Sequence, residues 1–231
     1  MIKIQIRILL LSTILLLSAC STMRRPVSQE DVSKINKIGV ASTLGSTLHG
    51  ISIGTTVFNN SSFNAPVPEW QIDKYMVTHA IKDLTRGTRY KSVVALNLDV
   101  NANDMWDNNG KSLWDAARAQ GLDTVVIFQR GVSDNFPFFI PGYGLFERSF
   151  LGTGHRCVYA AYVATVYNVT THDQMAWQWG GEMPCEKHID LSMKANFNDY
   201  SASEKSLIHQ QLEIRLDETL LYSLRKLALI N

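Results

Sequence analysis

The strongest constraint on the fold lies at the carboxyl end of the chain. Ser201-x-x-Glu204 is a capping box, in which a hydroxyl and a carboxylate satisfy the first free amides of a helix. Ile208, Leu212, Leu216, Leu220, Leu224 and Leu227 then recur at helical spacing along one face. A long helix with a single apolar stripe has to lay that stripe against another apolar surface. Packing on the chain's own core is the favoured reading; a coiled coil or a docked partner helix is the alternative.

The partner surface is readable upstream. Lys37-Ile38-Gly39-Val40-Ala41 gives a first strand and Val93-Val94-Ala95-Leu96 a second, read as buried because its apolar run is continuous. Thr124-Val125-Val126-Ile127-Phe128 is the strongest strand signal in the chain. Between the first two, residues 45–67 are rich in Gly, Ser, Thr and Asn and read as a long loop or an irregular hairpin. Pro68-Glu69 then opens a helix with Trp70, Val77, Ala80, Ile81 and Leu84 on its apolar side. A further helix over 112–120 turns Leu113, Trp114, Ala116 and Ala117 inward and stops at Gly121. Residues 156–169 and 176–180 form a hairpin turning at 170–173, before the long last helix.

The amino end is different in kind. Lys3 and Arg7, with no acid, precede an apolar run over 8–17 that is interrupted only by Ser12 and Thr13. That is the charged and apolar pattern of a secretory signal. The run is about ten residues long, against the roughly 20 that a helix needs to span hydrocarbon. Leu17-Ser18-Ala19-Cys20 resembles the bacterial lipobox, and the resemblance implies cleavage after Ala19 and lipid on Cys20. Ser21, where an acid would retain an enterobacterial lipoprotein at the inner membrane, resembles the outer-membrane class. The expected organisation is a signal over 1–19, lipidated Cys20 and a mostly disordered tether over 20–34, and one α/β periplasmic domain over 35–231.

Removing Lys3 and Arg7 lowers the basic count from 22 to 20 against 21 acids, a net charge of −1. With the signs well mixed, no basic face for a nucleic acid is expected. Beyond Cys20 the chain has only Cys157 and Cys185, and an even pair in an oxidising compartment reads most simply as a disulfide. The competing reading is a two-Cys, two-His zinc site that recruits His155 and His188.

The order β-α-β-α-β, β-hairpin, α, opened by Lys37-Ile38-Gly39-Val40, resembles a group of envelope proteins. It includes the TolB amino-terminal domain, the lipoprotein activator of penicillin-binding proteins, and the curli- and Pel-export lipoproteins. The stretch 117–126, with Ala117, Gly121, Asp123, Val125 and Val126, fits their helix-to-strand junction. The resemblance implies an anticodon-binding-domain-like α/β sandwich with a mixed sheet of about four or five strands and a long carboxyl-terminal helix.

No catalytic set stands out. There is no G-x-S-x-G and no H-E-x-x-H, and His49, His79, His155, His172, His188 and His209 are scattered. Asp99, Asp104 and Asp107 share a loop without EF-hand spacing and read as solvated. No catalytic residue, metal or cofactor is therefore expected. The unusual segment is 136–146, aromatic yet broken by Pro137, Pro141, Gly142 and Gly144, which excludes it from a central strand. Phe136, Phe138, Phe139, Ile140, Tyr143 and Phe146 are the candidate contact residues, and folding back over a sheet face is the competing reading. The five tryptophans are read mainly as core. The expected function is a lipid-anchored, non-enzymatic outer-membrane protein that binds another envelope component. The partners expected are the membrane, through Cys20, and an envelope protein, with self-association admitted. The alternatives are a ring-forming export accessory and a periplasmic hydrolase.

Overall fold

A computed structural model describes residues 26–87, 89–96, 107–131, 138–150, 153–180, 185 and 187–231. The signal, Cys20 and Phe136 lie outside the described residues. The fold is α/β, built on an eight-stranded mixed sheet. β1 (Lys37–Thr43) lies parallel to β4 (Ser92–Ala95) and to β5 (Thr124–Arg130). After a three-residue link, β2 (Thr47–Ile53) runs parallel to β6 (Gly142–Phe150) and antiparallel to β3 (Ser61–Pro66). The long β7 (Thr153–Asn168) joins the two groups, pairing its first half with β6 and its second with β5. β8 (Gln174–Trp179) pairs with β7 alone.

The side-chain alternation of these strands decides where the helices go. Ile38, Val40, Val126, Phe128, Val158, Ala160, Tyr162, Ala164 and Val166 form one face. Onto it pack α1 (Gln29–Lys34), α2 (Ile72–Thr85) and α4 (Ala202–Lys226). All six residues of the α4 stripe are fully buried here, so core packing is where the stripe is spent. The capping box is present: the Glu204 amide donates to Ser201 Oγ at 3.3 Å and the Ser201 amide to Glu204 Oε2 at 2.7 Å. On the opposite face, α3 (Asp107–Ala119) brings Leu113, Trp114 and Ala117 against Val125 and Ile127. Gly121 ends α3 at φ +63°, a left-handed conformation that glycine adopts without Cβ strain.

Several expectations are corrected. The sheet has eight strands rather than four or five, because residues 45–67 fold as a paired hairpin and 142–150 as a strand. That strand, β6, is central, with β2 on one side and β7 on the other. Pro141 stops short of the ladder, so it removes no hydrogen bond from it, and Pro137 lies outside the described residues. Gly144 is what lets β2 approach: a Cβ there would sit 1.9 Å from the His49 carbonyl oxygen. Residues 27–34, expected as part of the tether, belong to the domain instead: Ser28 caps α1, and Val27 and Val32 are buried in the core. The Val27 amide also donates to the Leu227 carbonyl, fastening the start of the domain to the end of α4. Among the described strands β4 is an edge strand bonded only to β1, and Val94 is 36% exposed, so its apolar run does not mark a buried strand. Pro68 opens only a short 3-10 turn; Gln71 at φ +48° breaks it before α2 begins.

Candidate functional site

The sheet is not equally covered along its length. Over β4, β1 and β5 both faces carry helices. Over β2, β6 and the first half of β7 the face opposite α4 carries no helix among the described residues, and a separate small cluster forms there from Ile51, Phe146, Cys157, Tyr159, Ala161 and Cys185. The register explains its composition. Ile51, Phe146 and Cys157 stand side by side on neighbouring strands, and Ile53, Arg148 and His155 form the next row on the same face. The segment before β6 folds back over this face. The Phe139 ring stacks on Phe146 at 4.4 Å and meets Tyr159 edge-on at 5.1 Å. Burial raises the pKa of the Tyr159 phenol.

Cys157 and Cys185 are joined as a disulfide, with their Cα atoms 5.6 Å apart. It pins the segment after β8 onto β7. The His155, Cys157 and Cys185 donor atoms all lie within 4.8 Å of one another. His188 stands beside them, its ring 5.8 Å from that of His155, and its Nδ1 accepts the Arg156 amide at 3.2 Å. The four residues of the competing zinc reading are thus neighbours, with the two sulfurs bonded to each other.

At this end of the sheet two large apolar side chains face solvent. Phe58, in the 3-10 turn between β2 and β3, is 93% exposed, and Phe138 is 53% exposed. The Arg148 guanidinium sits 5.9 Å from the Phe138 ring, next to Ile53, from which the Phe58 turn departs. The candidate contact residues therefore divide. Phe138 is exposed; Phe139 and Ile140 are half-buried and cover the sheet. Tyr143 and Phe146 are buried, a correction that follows from their place in β6, where alternation sends them to opposite faces. Tyr143 joins the main core and donates from its hydroxyl to the Gly45 carbonyl at 2.9 Å. Phe58 was not singled out in the sequence, where a lone Phe among Asn, Ser and Thr carries no periodic signal.

A second concavity, of about 600 Å³, opens where β1 passes into β2. Thr43, Gly45 and Ser46 line it with Arg130 from the end of β5 and Gln71, Asp73 and Lys74 from the start of α2. Open α/β sheets bind ligands beyond the carboxyl ends of parallel strands, and this cleft has that position. Asp73 holds the wall in place by accepting from Ser42 Oγ at 2.7 Å and from the amides of Leu44 at 2.7 Å and Gly45 at 3.0 Å. The sequence held one signal of it, the charged Arg130 closing a strand whose middle, Val125 to Phe128, is apolar.

The other histidines have separate partners. Buried His49 pairs through Nδ1 with Asn64 Oδ1 at 2.7 Å, and its pKa is lowered, first by burial and then by Arg130, against the Asn64 bond. His79 pairs with Asp217 at 2.7 Å, His209 stacks on Trp70 at 4.6 Å, and His172 stacks on Trp114 at 4.6 Å. Trp177 and Trp179 pack edge-to-face on β8. Asp107 begins α3, whereas Asp99, Asp104 and Trp106 lie outside the described residues. Among the described residues no helix is long and apolar enough to cross a membrane.

No protein-family model matches the chain, and no curated protein does. Among solved structures, a PelC dodecamer from Paraburkholderia phytofirmans is similar over 86% of this chain and 94% of that one, at 10% identity and a TM-score of 0.27. A likeness this distant assigns no family and no activity.

Proposed function

We propose that this chain is a non-enzymatic envelope protein, held at the outer membrane by lipid on Cys20, that docks another envelope component through the end of its sheet at the β2–β3 turn. The observation that carries the reading is the solvent exposure of Phe58 and Phe138. They are the two most exposed large apolar side chains among the described residues, and both stand at that end. An exposed phenylalanine forgoes roughly 1.5–3 kcal/mol of burial, which a contact recovers. The disulfide and the Phe139 ring tie the segments beside Phe138 to the sheet, which lowers the ordering entropy lost on docking there. The lipobox supplies the anchor, and the compartment it implies is one in which the Cys157–Cys185 bridge persists.

The test is photo-crosslinking in cells from position 138 and, separately, from position 58. A discrete adduct with an envelope protein from both positions is the expected result. A self-adduct would make the partner a second copy and favour the ring-forming reading. The absence of any protein adduct from either position would overturn the docking surface. Metabolic labelling with palmitate checks the anchor independently: label should enter the wild-type chain and be absent from Cys20→Ser.

A further inference from the structure

We propose that Cys157, Cys185 and His155 form a latent site for a thiolate-seeking divalent cation of the zinc class, closed by the disulfide and opened when it is reduced. This inference is independent of which surface docks. Three features carry it. The three donor atoms already lie within 4.8 Å of one another, and they come from two separate segments. A tetrahedral Zn²⁺ with bonds of about 2.3 Å to sulfur holds its donors roughly 3.8 Å apart, so small side-chain rotations suffice. The surroundings also suit such a site. Cys157 is fully buried and Cys185 is 7% exposed, against an apolar floor of Phe146, Tyr159 and Ala161, while His155 reaches solvent. Two sulfurs beneath one accessible imidazole place the cation at the rim of the sheet, with its fourth position open to solvent. His188, whose Nδ1 is engaged by the Arg156 amide, is a neighbour of the three donors rather than one of them.

The step that opens the site balances with a dithiol reductant. One thiolate of that dithiol attacks Sγ of Cys185, the more exposed of the two residues, and forms a mixed disulfide. Its second thiolate resolves the mixed disulfide. Cys157 and Cys185 leave as thiols and the reductant leaves as a disulfide, having supplied both electrons. The cation then displaces one proton from each thiol, and neutral His155 donates a ring nitrogen without proton loss.

The experiment uses the full chain carrying Cys20→Ser, purified in detergent, so that Cys157 and Cys185 are its remaining thiols. Co²⁺ is titrated into the oxidised and the reduced protein, followed by Zn²⁺. The reduced protein should bind one Co²⁺ per chain with thiolate charge-transfer absorption and tetrahedral d–d bands, and Zn²⁺ should displace it. The oxidised protein should show neither band. His155→Ala should weaken binding by about tenfold or more while retaining the thiolate band, the scale on which metal sites lose affinity when a supporting group is removed. His155 is exposed, so this variant tests the site without threatening the fold. No charge-transfer band in reduced protein that keeps its native circular dichroism would overturn the proposal. So would equal affinity in His155→Ala, which would leave a dithiol chelate with no built site. Loss of native dichroism on reduction, not restored by Zn²⁺, would overturn it as well.

Discussion

Replacing both Cys157 and Cys185 by alanine perturbs one bond whose effect can be worked from the fold. The bridge joins residues 28 apart. Closing a loop of that length in the unfolded chain gives about 3.6 kcal/mol at 25 °C on chain-entropy grounds. The loop contains the hairpin of β7 and β8, turning where Asn168 Oδ1 accepts from Thr170 at 2.8 Å and Thr171 at 3.0 Å. Residual hairpin in the unfolded state would shorten the effective loop to roughly 11 residues and lower the gain to about 2.8 kcal/mol. Each kcal/mol moves the melting temperature of a domain this size by about 2–4 °C, so the double variant should melt roughly 6–14 °C lower. Ordinary domains hold about 5–15 kcal/mol, so the variant still folds. The assay is thermal unfolding followed by circular dichroism, alongside a free-thiol count on the oxidised wild type. A shift below about 2 °C would refute the loop-entropy argument, because even the shortened loop predicts three times as much. Two free thiols at residues 157 and 185 in protein taken from the periplasm would refute the bridge itself.

Leu216→Ala empties a fully buried position in the middle of the α4 stripe and should cost about 2–5 kcal/mol in urea unfolding with an unchanged slope. Phe58→Asp with Phe138→Asp should leave stability within about 0.5 kcal/mol, because both side chains face water, while abolishing the crosslinked adduct. Ser201→Ala removes the side-chain half of the capping box and should lower stability by about 1 kcal/mol, read from the same urea curves. His49 gives a pH dependence. Its folded pKa lies below its ordinary value of 6.5, so the unfolded chain binds more protons between the two values. Stability should therefore be full above the ordinary value and fall as pH drops below it. His49→Gln should flatten that part of the profile in melts across pH 5–8, the range in which histidine titrates.

Much of the α/β fold was legible because its signals are local. The capping box and the six-residue stripe, spaced by about one turn, fix α4 from side chains that meet within single turns. Gly121 ends α3 because only a residue without Cβ takes that backbone cheaply. The run at 124–128 is apolar on both faces because helices cover both, and the bond between Cys157 and Cys185 matches the simplest reading of the two cysteines beyond Cys20.

What the sequence could not carry was register. Whether 142–150 is a loop or a central strand turns on β2 reaching it, and that depends on the fit of Gly144 against the His49 carbonyl from a distant part of the chain. The same pairing buries Tyr143 and Phe146 and leaves Phe138 in solvent, which no local pattern separates. Val93 and Val94 read as buried because a continuous apolar run cannot report that its strand has only one neighbour. By itself, then, the sequence determined the helices α2, α3 and α4, the strands β1, β4, β5, β7 and β8, and a cysteine pair whose simplest reading is a disulfide, since those follow from contacts a few residues apart and from chain chemistry. The tertiary structure alone decided strand order, which aromatics face water, and the meeting of His155 with the two sulfurs, because each depends on residues brought together only when the sheet closes.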